Sequence, residues 1–350
     1  MRTITIEDLT AVSYLDTKNL GNRTVNLMPL WDGERWHLWL PTPNGLINTM
    51  PIDALQIDYV ARQPARESDL FIPFVDLMWQ RASWPEICPL ISAICDDFHN
   101  MGTSLAKLRL FFDSRHGVDS GFTSNFAVTE VEYLIILART IFDLLQETIS
   151  RMWSKYVQLT DVEAESRRRG RSIPETFSKL VLKEKKFLKT ASEIELQYGI
   201  PHVIAVQYER SAGFFAELRN IRDRIVHGGS GMITIFDTDK GFCVSPNDEP
   251  FSKFGGWNDS HKYNENIVSI LPWIASIVVN TIESCNNLMS AFASTIMFPP
   301  EVAPGYRVFV RGPATKHLYE VLEIFNGRSP WWEATSREET EMQGTEPSQK

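Results

Sequence analysis

The chain has 350 residues, 43% of them apolar and 23% charged, which suits a globular protein with one large core or two modest domains. Its formal charge of −9 excludes nucleic-acid binding by bulk attraction, so any such contact needs a local basic patch. The four cysteines, Cys88, Cys95, Cys243 and Cys285, form no CxxC or Cys/His cluster, which points to a reducing compartment and no structural zinc.

The first ten residues, MRTITIEDLT, lack a basic segment followed by an apolar one, so no secretory signal is expected. Residues 1–62 read as β structure: RTITI, RTVNLMPLW and RWHLWL are rich in β-branched and aromatic residues. WDGERW offers an Asp-Gly turn between the last two. Over 69–114 the pattern becomes helical, with Pro85 and Pro89 near a helix start. Cys88 and Cys95, seven residues apart, are expected to face the core. Residues 1–112 thus form a β-then-α region, and 113–127 read as a linker.

From Val128 to Tyr156, Leu134, Ala138, Ile141, Leu145, Ile149 and Met152 recur at three- and four-residue steps, predicting a long amphipathic helix. A polar break at 159–174 precedes a second helix over 175–198, a third over about 201–227 and a fourth over about 264–293. MITIFDTDKGFCVS predicts a β-hairpin at 232–245, between the third and fourth helices. Ile267–Ile282 is too short, and too interrupted by Ser269, Pro272, Ser276 and Asn280, to span a bilayer. A soluble, cytoplasmic protein without membrane contact is expected. Residues 299–326 read as a β/α extension and 327–350 as a disordered acidic tail. The expected class is mainly α with β additions (α+β).

The third helix ends in LRNIRDRIVHGG, which holds Arg219, Arg222 and Arg224 before His227 and two glycines. Phe214, Leu218, Ile221 and Ile225 form its apolar seam, while Asn220, Asp223 and His227 share another face. A histidine in the last turn followed by glycine is also what an ordinary capped helix end requires. The segment Arg222–Gly228, RDRIVHG, resembles the signature of the HEPN superfamily (higher eukaryotes and prokaryotes nucleotide-binding): arginine, a polar residue, a short spacer, then histidine. The resemblance covers about 128–293, where the four expected helices match the family's antiparallel bundle. The hairpin is an addition, and Ser230 stands where some members carry a modifiable tyrosine.

The resemblance implies a metal-independent endoribonuclease without cofactor, in a toxin or defence role, with Arg222, Asp223 and His227 as catalytic residues. It also implies a homodimer whose two motifs converge on RNA, and a neutralising or regulatory protein partner. The chemistry is consistent: RNA carries its own 2′-hydroxyl nucleophile, histidine can exchange the proton, and arginine presents a fixed fork to phosphate. Asp223 has two readings, as the group orienting His227 or as one half of a helix-surface ion pair. Positions 222 and 227 lie about 140° apart around a helix, so one motif makes a thin site.

Residues 151–227 hold fifteen Lys/Arg and ten Asp/Glu, net +5, which leaves −14 on the rest. The densest part, SRRRGRS, nominates Arg167, Arg168, Arg169 and Arg171, with Arg219 and Arg224, as RNA contacts. Charge runs are also commonly plain solvated faces. GGSGM fails the hydrolase elbow and the P-loop, and the remaining histidines show no metal-ligand spacing. The rival reading is a catalytically silent HEPN-like bundle that binds or dimerises.

Overall fold

A computed structural model describes residues 14–24, 28–42, 45–49, 56–117, 120–184, 186–228 and 233–332. The class is mixed α and β, with helix predominating and small sheets. Four long helices dominate: α2 (Cys88–Ser114), α3 (Ser120–Lys155), α7 (His202–Gly228) and α8 (Leu271–Thr295). The chain divides into two compact units. One comprises Met1–His99, Thr140–Ala216 and Thr281–Lys316; the other comprises Asn100–Arg139, Glu217–Asn280 and His317–Lys350.

The first unit carries a six-stranded sheet in the order β3-β2-β1-β4-β11-β5. Its strands are β1 (Leu30–Trp31), β2 (Trp36–Thr42), β3 (Gly45–Thr49), β4 (Tyr59–Ala61), β5 (Leu70–Phe71) and β11 (Arg307–Val310). The Asp-Gly turn forms as expected: Trp31 pairs with Trp36, Asp32 accepts from the Glu34 and Arg35 amides, and Gly33 takes a φ of 108°. RTITI lies outside the described residues. The C-terminal strand is no separate extension. β11 inserts between β4 and β5, where Phe309 stacks on Tyr59 at 5.5 Å. Gln80, on α1 (Pro73–Arg81), reinforces this closure by exchanging hydrogen bonds with the Ala303 backbone at 3.2 and 2.8 Å.

Two further expectations need correction. The linker at 113–127 is mostly helix. α2 runs to Ser114, a 3-10 turn covers Arg115–Gly117, and α3 starts at Ser120, because Ala127 and Val128 carry its buried face upstream.

The second helix, 175–198, is in fact α5 (Phe177–Val181), a hairpin of β6 (Leu182–Lys183) and β7 (Phe187–Leu188), and α6 (Ala191–Tyr198). Thr190 starts α6 with a capping box to Glu193, and Glu184 takes a φ of 49° in the hairpin turn. The interruption lets Phe177 reach Phe215 at 4.8 Å and Phe142 at 4.9 Å, in a cluster with fully buried Tyr208.

In the second unit the expected hairpin forms as β8 (Phe236–Asp237) and β9 (Phe242–Val244), and β10 (Val268–Ser269) adds a third strand. That strand delays the fourth helix, which begins at Leu271. The ordered chain also extends past residue 327. Trp332 packs 5.1 Å from Phe112 and 5.6 Å from Phe242, and its carbonyl accepts from Arg109, because two consecutive tryptophans supply enough apolar surface to anchor the chain. Residues 333–350 lie outside the described residues. Cys88 and Cys95 are half-buried rather than fully in the core. No helix of the described residues is long and apolar enough to cross a membrane.

Candidate functional site

The rotation of α7 decides which of its side chains meet solvent. Leu218 and Ile221 are buried, and Ile221 and Ile225 line a small crevice with Ile233 and Pro250. This apolar seam turns the arginines and His227 outward. The helix ends at Gly228, one residue past His227; the next glycine, expected to cap it, lies outside the described residues.

Arg222 donates from Nη1 to Asp223 Oδ1 at 2.8 Å, and Arg219 Nε lies 3.5 Å from Asp223 Oδ2. Both Asp223 oxygens are therefore turned to arginines rather than to His227. Of the two roles open to Asp223, the ion pair is the one formed. Arg224 pairs with Glu249 at 2.6 Å, and Lys253 approaches the same carboxylate at 3.3 Å. Those cations hold the Glu249 carboxyl below its usual range, Arg224 most strongly. The Arg222 and Asp223 side chains are 41% and 38% exposed, so the pair is worth only about 0–1 kcal/mol and yields readily to a competing anion. His227 is exposed in the last turn.

No family model, curated protein or solved structure matches this chain.

The other basic stretch belongs to the other unit. Arg168 is not an available cation. Its Nε and Nη2 donate to the two Glu165 oxygens at 2.9 and 2.8 Å, Nη1 donates to the Trp153 carbonyl at 2.8 Å, and only 16% of the side chain is exposed. Arg168 chiefly holds the Glu165 carboxyl down at about 2, helped by the Leu159 amide and Arg169. The nomination of Arg168 as an RNA contact is withdrawn, since a guanidinium with these three acceptors has little left for phosphate.

Arg171 is exposed but donates to the Leu196 carbonyl at 2.8 Å, which ties down the loop between α4 (Val162–Arg168) and α5. Arg167 and Arg169 remain exposed, Arg169 only loosely paired with Glu165 at 3.5 Å. Lys189, among the fifteen cations of 151–227, is buried and donates to the Lys179 carbonyl and the Tyr198 hydroxyl.

Among the described residues no three His, Cys, Asp or Glu side chains gather as a metal-holding group. Several histidines instead meet single carboxylates: His99 with Asp58 at 3.0 Å, His202 with Glu195 at 2.9 Å and His317 with Glu320 at 3.0 Å. His99 and Asp58 lie too far apart along the chain for spacing to pair them, whereas His317 and Glu320 stand three residues apart on one helix.

Proposed function

We propose that the chain is a metal-independent endoribonuclease of the HEPN type, acting as a homodimer on RNA. The observation that carries the reading is the composition of α7's outward face near its end. Arg219, Arg222, Arg224 and His227 fall within nine residues of one helix, and Arg219 and Arg222 share a single half-exposed carboxylate. An RNA phosphate can displace so weak a pair.

In the proposed reaction His227 takes the proton of the 2′-hydroxyl or delivers one to the departing 5′-oxygen. The 2′-oxygen attacks phosphorus, the P–O5′ bond breaks, and the products are a 2′,3′-cyclic phosphate and a 5′-hydroxyl. Arg222 spreads two N–H groups against the charge that builds on the phosphorane. Asp223 acts as a positioning residue that holds Arg219 and Arg222 until RNA arrives. Arg222 and His227 are five residues apart on one helix, so a second copy related by two-fold symmetry supplies the opposing pair.

The direct experiment is incubation of the purified chain with a mixed RNA pool in EDTA, followed by end-group analysis. Cyclic-phosphate ends that disappear with His227→Ala support the proposal; absence of cleavage, or cleavage that needs Mg²⁺, rejects it. The rival, a silent binding or dimerisation module, is favoured by one observation. Asp223 engages Arg222 rather than His227. RNA binding or dimer formation without cleavage would select it.

A further inference from the structure

The second unit contains a cavity of about 450 Å³ that the reading above does not use. It lies among α2, the start of α8, α9 (Thr315–Phe325) and the segment that follows α9. Its apolar walls include Leu105, Leu271, Trp331 and Trp332. The size and the mixture of aromatic surface with a few polar groups are those of a small-molecule site.

The walls are built rather than incidental. Trp331 donates from Nε1 to the Ser260 carbonyl at 3.0 Å and meets the Tyr263 ring at 6.4 Å. Trp332 is held by Phe112, Phe242 and the Arg109 guanidinium, and the Ser269 hydroxyl donates to the neighbouring Pro330 carbonyl at 3.0 Å. These contacts fix the two indoles before any ligand arrives, which reduces the entropy lost on binding.

The polar groups carry both signs. Arg328 uses Nε on Glu323 at 2.6 Å, and its two terminal nitrogens have no partner among the described residues. Glu320 accepts from His317 through Oε2 at 3.0 Å, and its other oxygen is likewise without a partner among the described residues. Both side chains reach solvent, at 66% for Arg328 and 43% for Glu320, and both line the cavity. The cavity thus offers a two-pronged donor for a carboxylate, a carboxylate acceptor for an ammonium group, and indole surface between apolar walls. With arginines balanced by glutamates, the lining gives no net attraction to a polyanion.

We propose that this cavity binds a free aromatic α-amino acid, its carboxylate on Arg328, its ammonium group on Glu320 and its ring against the indoles. The site is separate from the arginine–histidine face of α7 and does not depend on the nuclease reading.

The test is isothermal titration of the full chain with L-tryptophan and L-phenylalanine. Each is compared with an analogue lacking one charge: tryptamine or indole-3-propionate for tryptophan, and phenethylamine or 3-phenylpropionate for phenylalanine. For ligands of this size saturable binding is expected with Kd of about 10–500 µM, and each analogue should bind about 10- to 100-fold more weakly. Arg328→Ala should bring the amino acid down to the affinity of its amine, and Glu320→Gln to that of its acid. Both residues are exposed, so both variants should fold, which circular dichroism checks. No saturable heat with either amino acid up to millimolar concentration would overturn the proposal. So would analogues that bind as tightly as the amino acids, or affinities unchanged in both variants.

Discussion

Two arginine-rich stretches look equivalent in sequence and differ in structure. In 167–171, Arg168 is enclosed by Glu165 and the Trp153 carbonyl, and Arg171 spans to the Leu196 carbonyl. In 219–227, Arg222 and Arg219 share one half-exposed carboxylate on their own helix. The first group braces a loop; in the second, Arg222 and Arg224 each pair with a part-exposed carboxylate and are themselves 41% exposed. Counting arginines does not separate these cases. What separates them is whether backbone carbonyls and an enclosed acid lie within reach.

The largest expected effects come from removing one residue of each stretch. His227→Ala should lower cleavage of RNA by about 10²–10⁴-fold while chemical denaturation shifts by less than about 0.5 kcal/mol. An unchanged rate in a clean preparation would end the nuclease reading. Arg168→Ala should do the reverse, costing about 2–3 kcal/mol because Glu165 stays enclosed with only the Leu159 amide and a loose contact to Arg169, with the RNA rate at saturation unchanged. A stability loss below about 0.5 kcal/mol would place Arg168 among ordinary surface arginines.

Stability should also depend on pH through Glu165. Glu165 titrates at about 2 when folded, against an ordinary 4.5, with Arg168 as the main cause. A depressed carboxylate stabilises the fold fully above its unfolded value and loses that contribution as pH falls through the folded one. The stability gap between the unaltered chain and Arg168→Ala should therefore be full near about pH 6 and narrow toward about pH 2. A gap of constant size would assign the effect to the Arg168 guanidinium lying over the Trp153 ring, 5.4 Å from its centroid.

The smallest effect belongs to the exposed pair: Arg167→Ala with Arg169→Ala should move stability by less than about 0.5 kcal/mol. If RNA touches both, the slope of log affinity against log salt should become shallower by about 1.4, as expected for two lost contacts to single-stranded phosphate.

Helices with a sustained apolar period were legible: α3 and α7 follow seams visible in the sequence, and both hairpins around Asp-Gly and Asp-Thr-Asp-Lys-Gly formed. The stretch 175–198 was misread because its apolar spacing suits a helix, although Thr190 and Glu193 spell a capping box that marks a new start. The candidacy of Arg222, Asp223 and His227 rests on the resemblance of RDRIVHG, in its helical setting, to a family signature. Their outward orientation followed from the Ile221 and Ile225 seam, but Asp223's choice of Arg219 and Arg222 did not.

Local periodicity and turn chemistry, both written in short windows, determined the seams of α3 and α7, the hairpins at Asp-Gly and Asp-Thr-Asp-Lys-Gly, and which α7 residues face out. Tertiary structure decided the rest. β11 completes a sheet begun at Leu30, near the other end of the sequence, and Trp332 closes against Phe112 and Phe242. Arg168 becomes a brace, because the Trp153 carbonyl that satisfies it lies on another helix. Such partners are distant in sequence. They are selected by burial, where an unpaired polar group is costly and an unfilled apolar surface is left in water.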